Sequence, residues 1–201
     1  MLTYQDYLSA ENKLEFLMKL IDDHKSDPVV KTALIADEYD KQKNTTINAF
    51  IQKIYTVKGK PVENRFASNN KRASNFFRLL NRQRCMYLLG NGVTLEDEAV
   101  KARLGDDFDT QMQKAGYKAL IHGLCFVFLN VDKVHVFPVT EFAPMWDEEK
   151  GTLRAGVRYW QIDEKKPLMV TVYEEDGYTE YRKDEKNKGL VMTAEKRAYK
   201  Q

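Results

Sequence analysis

Charged side chains hold phosphate, or a second protein surface, when they cluster by sign, and this sequence clusters them. Residues 64–95 contain no Asp or Glu but carry Arg65, Lys71, Arg72, Arg78, Arg82 and Arg84. Residues 96–109 reverse the sign with Glu96, Asp97, Glu98, Asp106, Asp107 and Asp109. Lys71, Asn75, Arg78 and Arg82 recur at helical spacing, which predicts one shared helix face. Three uses stay open for it. It can be a solvated face or one paired within its own chain; it can meet the acidic segment of a neighbouring copy; or it can grip nucleic-acid phosphates through the arginine fork. The spacing of Ala73, Phe76, Phe77, Leu80 and Tyr87 predicts that the opposite face is core, although exposed aromatics there would stack on bases.

Nucleophilic chemistry has one candidate pair. His122 and Cys125 are three residues apart, as a thiol and its base can be. His122, however, falls at the end of a predicted helix and Cys125 inside an apolar run, so they read as a helix-terminal residue and a core residue. Cys85 reads as packed, and His135 alternates with Val134 and Val136 and faces outward. Asp147, Glu148 and Glu149, like Glu174, Glu175 and Asp176, read as solvated turns. Neither GxxxxGK[ST] nor GxGxxG occurs. Three histidines and two cysteines at wide spacing predict no zinc site. The residues imply no catalytic constellation, no cofactor and no metal. Trp146 reads as a packing anchor or an interface residue.

The elements that must position these residues divide the chain in two. The 201 residues suffice for one sizeable core, and 32 basic against 30 acidic residues leave a net charge of +2. That balance argues against a surface that binds nucleic acid all over. The N-terminus has no signal-peptide pattern, and the longest apolar run, 124–129, is too short to span a bilayer. Two cysteines give no disulfide framework, which fits a reducing compartment. Ser9 is the expected cap of a first helix, Asp27-Pro28 of a second, and Asn69 or Asn70 of a third ending near Gly90-Asn91-Gly92. Residues 37–46 read as a helix end and loop, and 50–57 as extended or irregular. Thr94, then Asp106 or Asp107, cap two more helices, the last ending at Gly123. Strands follow around 124–129, 134–136 and 157–161, with a turn at 130–133, and then a hairpin turns at Asp176-Gly177. The fold class is therefore α+β: N-terminal helices over about 1–123, then a mostly antiparallel sheet over about 124–183. A lysine-rich, weakly ordered tail, 184–201, completes a single region.

The order of these motifs resembles the N-terminal wing region of a tailed-bacteriophage portal protein of the siphophage and prophage kind. Asn69-Asn70-Lys71-Arg72-Ala73-Ser74-Asn75-Phe76-Phe77 runs on to Met86-Tyr87-Leu88-Leu89-Gly90, as an Asn-rich helix of that family ends at a Tyr-Leu-x-Gly turn. A variable acidic segment, a helix and the Gly-led strand Gly123-Leu124-Cys125-Phe126-Val127-Phe128 follow. The Pro138-to-Trp146-Asp147 segment and the strand Val157-Arg158-Tyr159-Trp160 complete the likeness, which covers roughly residues 39–182.

The resemblance implies a non-enzymatic structural part. It would sit in a ring, dodecameric when full-length, at one capsid vertex of the virion, after assembly in the host cytoplasm. Double-stranded DNA would pass through the channel during packaging and ejection. The terminase large subunit, head-completion and connector proteins, and major capsid and scaffolding proteins would be its partners, with no membrane. Family chains are longer, so stem, clip, channel loop and crown are expected beyond Lys200-Gln201. The alternative is a free-standing nucleic-acid-binding protein that uses the basic helix 69–89.

Overall fold

A computed structural model describes residues 2–68, 70–130, 133–184 and 189–199, with the side chain of Glu98 excepted. The first helix, α1 (Tyr4–Ser9), is closed at its start by Thr3, whose hydroxyl and backbone N–H both engage Asp6 in a reciprocal capping box. Ser9 therefore ends α1. The next helix, α2 (Lys13–Ser26), is capped instead by Asn12, whose side chain accepts from Glu15 N–H. The cap expected at Asp27 is present: its Oδ1 accepts from Val29 N–H at 2.7 Å and Pro28 opens α3 (Pro28–Asp40).

Residues 37–46 hold the expected helix end, α3 stopping at Asp40, and loop, and a further helical turn, α4 (Thr45–Ala49), begins at the last two of them. The segment expected to be extended or irregular, 50–57, holds strand β1 (Lys53–Tyr55), which turns near Gly59, at φ +72°, into β2 (Pro61–Glu63) to make a small antiparallel hairpin. Every residue of both strands is exposed.

Then come α5 (Phe76–Leu89), α6 (Glu98–Arg103) and α7 (Phe108–His122). The cap of α5 is Asn75, six residues beyond the expected Asn69, which lies outside the described residues; Asn70 precedes the helix without capping it. Asp97, not Thr94, caps α6. Asp107 occupies the N-cap of α7, and Gly123, at φ +85°, closes it in the left-handed conformation. As expected, α5 stops before Gly90-Asn91-Gly92, where Gly92 takes the left-handed conformation at φ +80°.

The strand-rich half holds two sheets. The hairpin β3 (Cys125–Asn130) and β4 (Lys133–Pro138) leads through a 3-10 turn, Val139–Glu141, into a five-stranded antiparallel meander. Of the turn expected between β3 and β4, Val131 and Asp132 lie outside the described residues. The meander runs β5 (Phe142–Trp146), β6 (Leu153–Trp160), β7 (Met169–Glu174), β8 (Gly177–Lys183) and β9 (Leu190–Arg197) in chain order. Pro144 is accommodated because β5 is an edge strand. The β7–β8 hairpin turns where Asp176-Gly177 predicts.

The stretch expected to be a weakly ordered tail contributes β9, which pairs with β8 along nearly its whole length. Its sequence hides this because β9 is an outer strand with mostly exposed side chains, so the alternation that marks a half-buried strand is absent.

Leu17, Leu20 and Ile21 of α2, with Tyr7, pack on one face of the meander against Met145, Val157, Val170 and Val172, all buried. This is the main core, and burying such side chains contributes about 1.5–3 kcal/mol apiece. A smaller cluster of Val30, Ala33 and Val139, with Phe126 against it, ties α3 to the 3-10 turn. Between the β3–β4 hairpin and the meander, an aromatic seam joins Phe126, Phe128, Phe137, Phe142 and Tyr173 at ring-centroid distances of 4.5–5.7 Å.

Candidate functional site

The charge-bearing helix α5 sits on α7 in an orientation opposite to the one its pattern predicts. Its covered side steps through Phe77, Asn81, Cys85 and Leu89, with the two central, smaller residues buried deepest. Asn81 and Cys85 are buried, Cys85 Sγ donates to Gln113 O at 3.2 Å, and Gln113 Nε2 donates to Leu89 O at 2.9 Å. Gly116 of α7 permits the approach, since a Cβ there would lie 2.5 Å from Leu89 Cδ1.

The outward side is the apolar one. Phe76, Leu79, Leu80, Met86 and Tyr87 are all exposed, Tyr87 at 91%. Helical geometry places Phe76, Leu79 and Tyr87 roughly opposite Asn81 and Cys85, with Leu80 and Met86 on the flanks of that outward side. Phe76, Leu80 and Tyr87, expected in the core, are thus corrected to surface residues; Phe77 and Ala73 are half-buried. Periodicity shows that a helix has two faces, but not which face its own chain covers.

The basic residues do not form one stripe. Lys71 and Arg72 precede the helix; Lys71 Nζ donates to Asn48 O, and Arg72 is exposed. Asn75 is used as the cap, and its Nδ2 also donates to Asp40 O at 3.2 Å. Arg78 is half-buried, and Arg82 lies in hydrogen-bonding reach of the Tyr117 hydroxyl. That hydroxyl donates to Asp40 Oδ1. Burial, with the Asp40 hydrogen bond behind it, raises the Tyr117 pKa, and Arg82 opposes the shift. Arg84 is exposed.

The acidic residues also separate. Asp109 is held inside the chain: its Oδ1 accepts from Val93 N–H at 2.9 Å and its Oδ2 from Lys101 Nζ at 2.8 Å. The Lys101 hydrogen bond first, then the Val93 one, keeps its carboxyl below the ordinary range. Asp107 accepts from Gln111 Nε2 at 2.9 Å and is exposed, as are Asp106 and Glu96. Trp146 is half-buried at the end of β5, beside a bulge against β6.

His122 and Cys125 do not form a dyad. The His122 side chain is fully buried with Nε2 3.0 Å from Asp37 Oδ1, whereas Cys125 Sγ turns to Phe137 O at 3.4 Å. Burial pushes both thiols, Cys85 and Cys125, above their usual value, which disfavours the nucleophilic thiolate. Among the described residues no group of three His, Cys, Asp or Glu side chains gathers as a metal site would, and no helix is long and apolar enough to cross a membrane.

A cavity of about 210 Å³ beside the aromatic seam has Arg154 and Glu174 as its charged members. Both are ion-paired, Arg154 with Asp147 at 3.6 Å and Glu174 with Lys196 at 2.9 Å. The turn carboxylates Asp147, Glu174 and Asp176 therefore hold structure rather than only meeting solvent, for Asp176 also pairs with Lys196.

Sequence reasoning missed the exposed apolar surface as the feature most available to a partner. Leu79 and Met86 belong to it, as do Ile54, Tyr55, Val57, Val62 and Phe66 of the hairpin region, all exposed. The available signal was Val57 and Phe66, large apolar residues among turn-forming and charged neighbours. These are two separate exposed stretches, one on α5 and one on the hairpin, and large exposed apolar patches mark interaction surfaces.

A comparison with curated proteins finds no match. Comparison with protein families finds one: the family model described as "Phage portal protein, SPP1 Gp6-like" matches residues 19–199, from within α2 to just past β9. The α+β chain belongs to the SPP1 Gp6-like phage portal protein family, which implies a structural subunit of a ring at the capsid vertex of a bacteriophage.

Proposed function

We propose that this chain forms the wing-like layer of a portal ring through which double-stranded DNA is packaged and later ejected. The terminase large subunit docks on that ring during packaging, and head-completion and connector proteins bind it afterwards. Major capsid and scaffolding proteins surround it at the vertex. The family match over residues 19–199 carries this reading. Two physical features support it. A net charge of +2 lets duplex DNA slide past instead of holding it. Segments of opposite sign and a broad exposed apolar surface on one chain suit head-to-tail contacts between identical copies. The wing residues act by packing and by charge, and no side chain makes or breaks a bond.

The test is genetic. A phage deleted for this chain is expected to accumulate capsids empty of DNA, and the chain supplied in trans is expected to restore DNA-filled heads. Filling without the chain would overturn the reading. Binding to terminase is checked separately by co-purification from packaging extracts.

A further inference from the structure

The β1–β2 hairpin stands away from both cores. Its strands pair with each other, all six strand residues are exposed, and Val57 at its tip is fully so. An isolated two-stranded hairpin is marginal in water, and three strands or a packing partner are needed for stability. Its base is nevertheless fixed. Asn64 N–H donates to Gln52 O at 2.8 Å, Lys71 Nζ donates to Asn48 O, and Gln42 Nε2 donates to Ala73 O at 2.9 Å. The hairpin is a presented arm on an anchored root.

The same chain carries a second uncovered apolar surface, the outward stripe of α5, and the two surfaces match in charge. Across 50–72 the arm and its root carry Lys53, Lys58, Lys60, Arg65, Lys71 and Arg72 against the single acid Glu63. Where α5 ends, the 91–107 connection carries exposed Glu96, Asp106 and Asp107, and also exposed Val100. That connection is held at the start of α7 by the two Asp109 contacts. The carboxylate-bearing end of α5 is also the negative end of its dipole, which adds attraction for lysines.

We propose that the β1–β2 arm of one copy packs Tyr55 and Val57, which alternate onto one face of the arm, onto the Phe76–Leu80–Tyr87 stripe of a second copy of this chain. The arm's lysines then meet Glu96, Asp106 and Asp107 at the end of that stripe. The contact is heterologous, because each copy gives its arm to one neighbour and its stripe to another. Such a contact closes into a ring when the rotation between copies permits. The proposal rests on the ring-forming reading above and assigns the surfaces that make the ring.

The test uses two substitutions at exposed positions, Val57→Asp on the arm and Tyr87→Asp on the stripe, with sedimentation velocity over a concentration series. Each variant alone is expected to self-associate at least about tenfold more weakly than the unaltered chain, as loss of a central apolar contact does. Circular dichroism should be unchanged, because neither residue is buried.

The decisive arm is the mixture. Each pair of the two variants retains one intact contact, the arm of Tyr87→Asp against the stripe of Val57→Asp. An equimolar mixture is expected to recover association as a heterodimer and to stop there. Association that persists in both variants overturns the arm contact while leaving ring assembly in place through other surfaces. Variants that lose association and stay monomeric when mixed overturn it too, since the contact would then not be head-to-tail. An unaltered chain that stays monomeric at every concentration overturns both the contact and self-assembly by this chain.

Discussion

Nε2 of His122, on the last turn of α7, lies 3.0 Å from Oδ1 of Asp37 on α3, and Lys118 Nζ reaches the same oxygen at 3.2 Å. Burial works against the charge on Asp37, but the His122 and Lys118 contacts outweigh it and hold the carboxyl below its ordinary range. This junction fixes the helical layer that carries α5. His122→Ala is expected to lower stability by about 1–3 kcal/mol, because it leaves a half-buried carboxylate short of a partner. Urea unfolding of the variant against the unaltered chain measures it. Asp37→Asn in the same background should cost much less than in the unaltered chain, since the two residues act as a pair.

The imidazole of His24 gives the fold an acid-sensitive point. Its Nδ1 lies 2.9 Å from the Tyr159 hydroxyl, and burial lowers its pKa from the ordinary 6.5, with Asp27 opposing. Above that ordinary value both folded and unfolded chains carry neutral His24. As pH falls through it, the unfolded chain takes up a proton that the folded chain resists, so stability falls. The loss continues until the folded group also titrates. His24→Gln is expected to flatten the fall in denaturation midpoint between about pH 7 and pH 5. A fall of unchanged slope would place the acid sensitivity elsewhere.

Phe142 lies over Gly156, on the neighbouring strand. A Cβ at Gly156 would sit 2.0 Å from Phe142 Cζ. Gly156→Ala is expected to destabilise the meander by about 1–3 kcal/mol through overpacking. Phe142→Leu should relieve much of that cost when combined with it. Thermal unfolding of the four chains of the cycle gives the coupling.

The dispersal of the basic residues makes a distinction about nucleic acid. Arg82 lies beside the Tyr117 hydroxyl and Lys71 Nζ is bonded to Asn48 O ahead of α5, so the basic residues expected in one stripe do not line up as one among the described residues. Arg78→Ala and Arg82→Ala are expected to change thermal stability slightly and to leave the salt slope of duplex-DNA binding unchanged. A slope that drops by about one for each substitution would show direct phosphate contacts and favour a nucleic-acid-binding reading.

What could be read from the sequence follows from what local chemistry determines. The Asp27-Pro28 helix start, the helix end at Gly123 and the turn at Asp176-Gly177 were legible because each depends on one or two residues. The start of α5 was not. Asn69, Asn70 and Asn75 are equivalent as caps by type, and contacts from Asn75 to Asp40 and from Lys71 to Asn48 lie far away in sequence. The strand β9 was hidden because an exposed edge strand lacks alternation.

Of the candidate residues, Asp106, Asp107, Arg72, Arg82 and Arg84 remain on the surface, while Asp109 and Lys71 are bonded within the chain. Charge type marked all of them alike, and only the fold separates them. The apolar face of α5 was legible as a face, yet its direction depends on α7, where Gly116 leaves room for Leu89 and Gln113 bonds the Leu89 carbonyl.

The central claim is that this chain is a building block that assembles with identical copies around a passage for duplex DNA. Single-particle cryo-microscopy of the assembled protein tests it most directly. The account predicts a closed ring about one rotational axis, each copy touching its two neighbours through different surfaces. Particles that are only monomers, or two-fold pairs in which one surface faces itself, would contradict it.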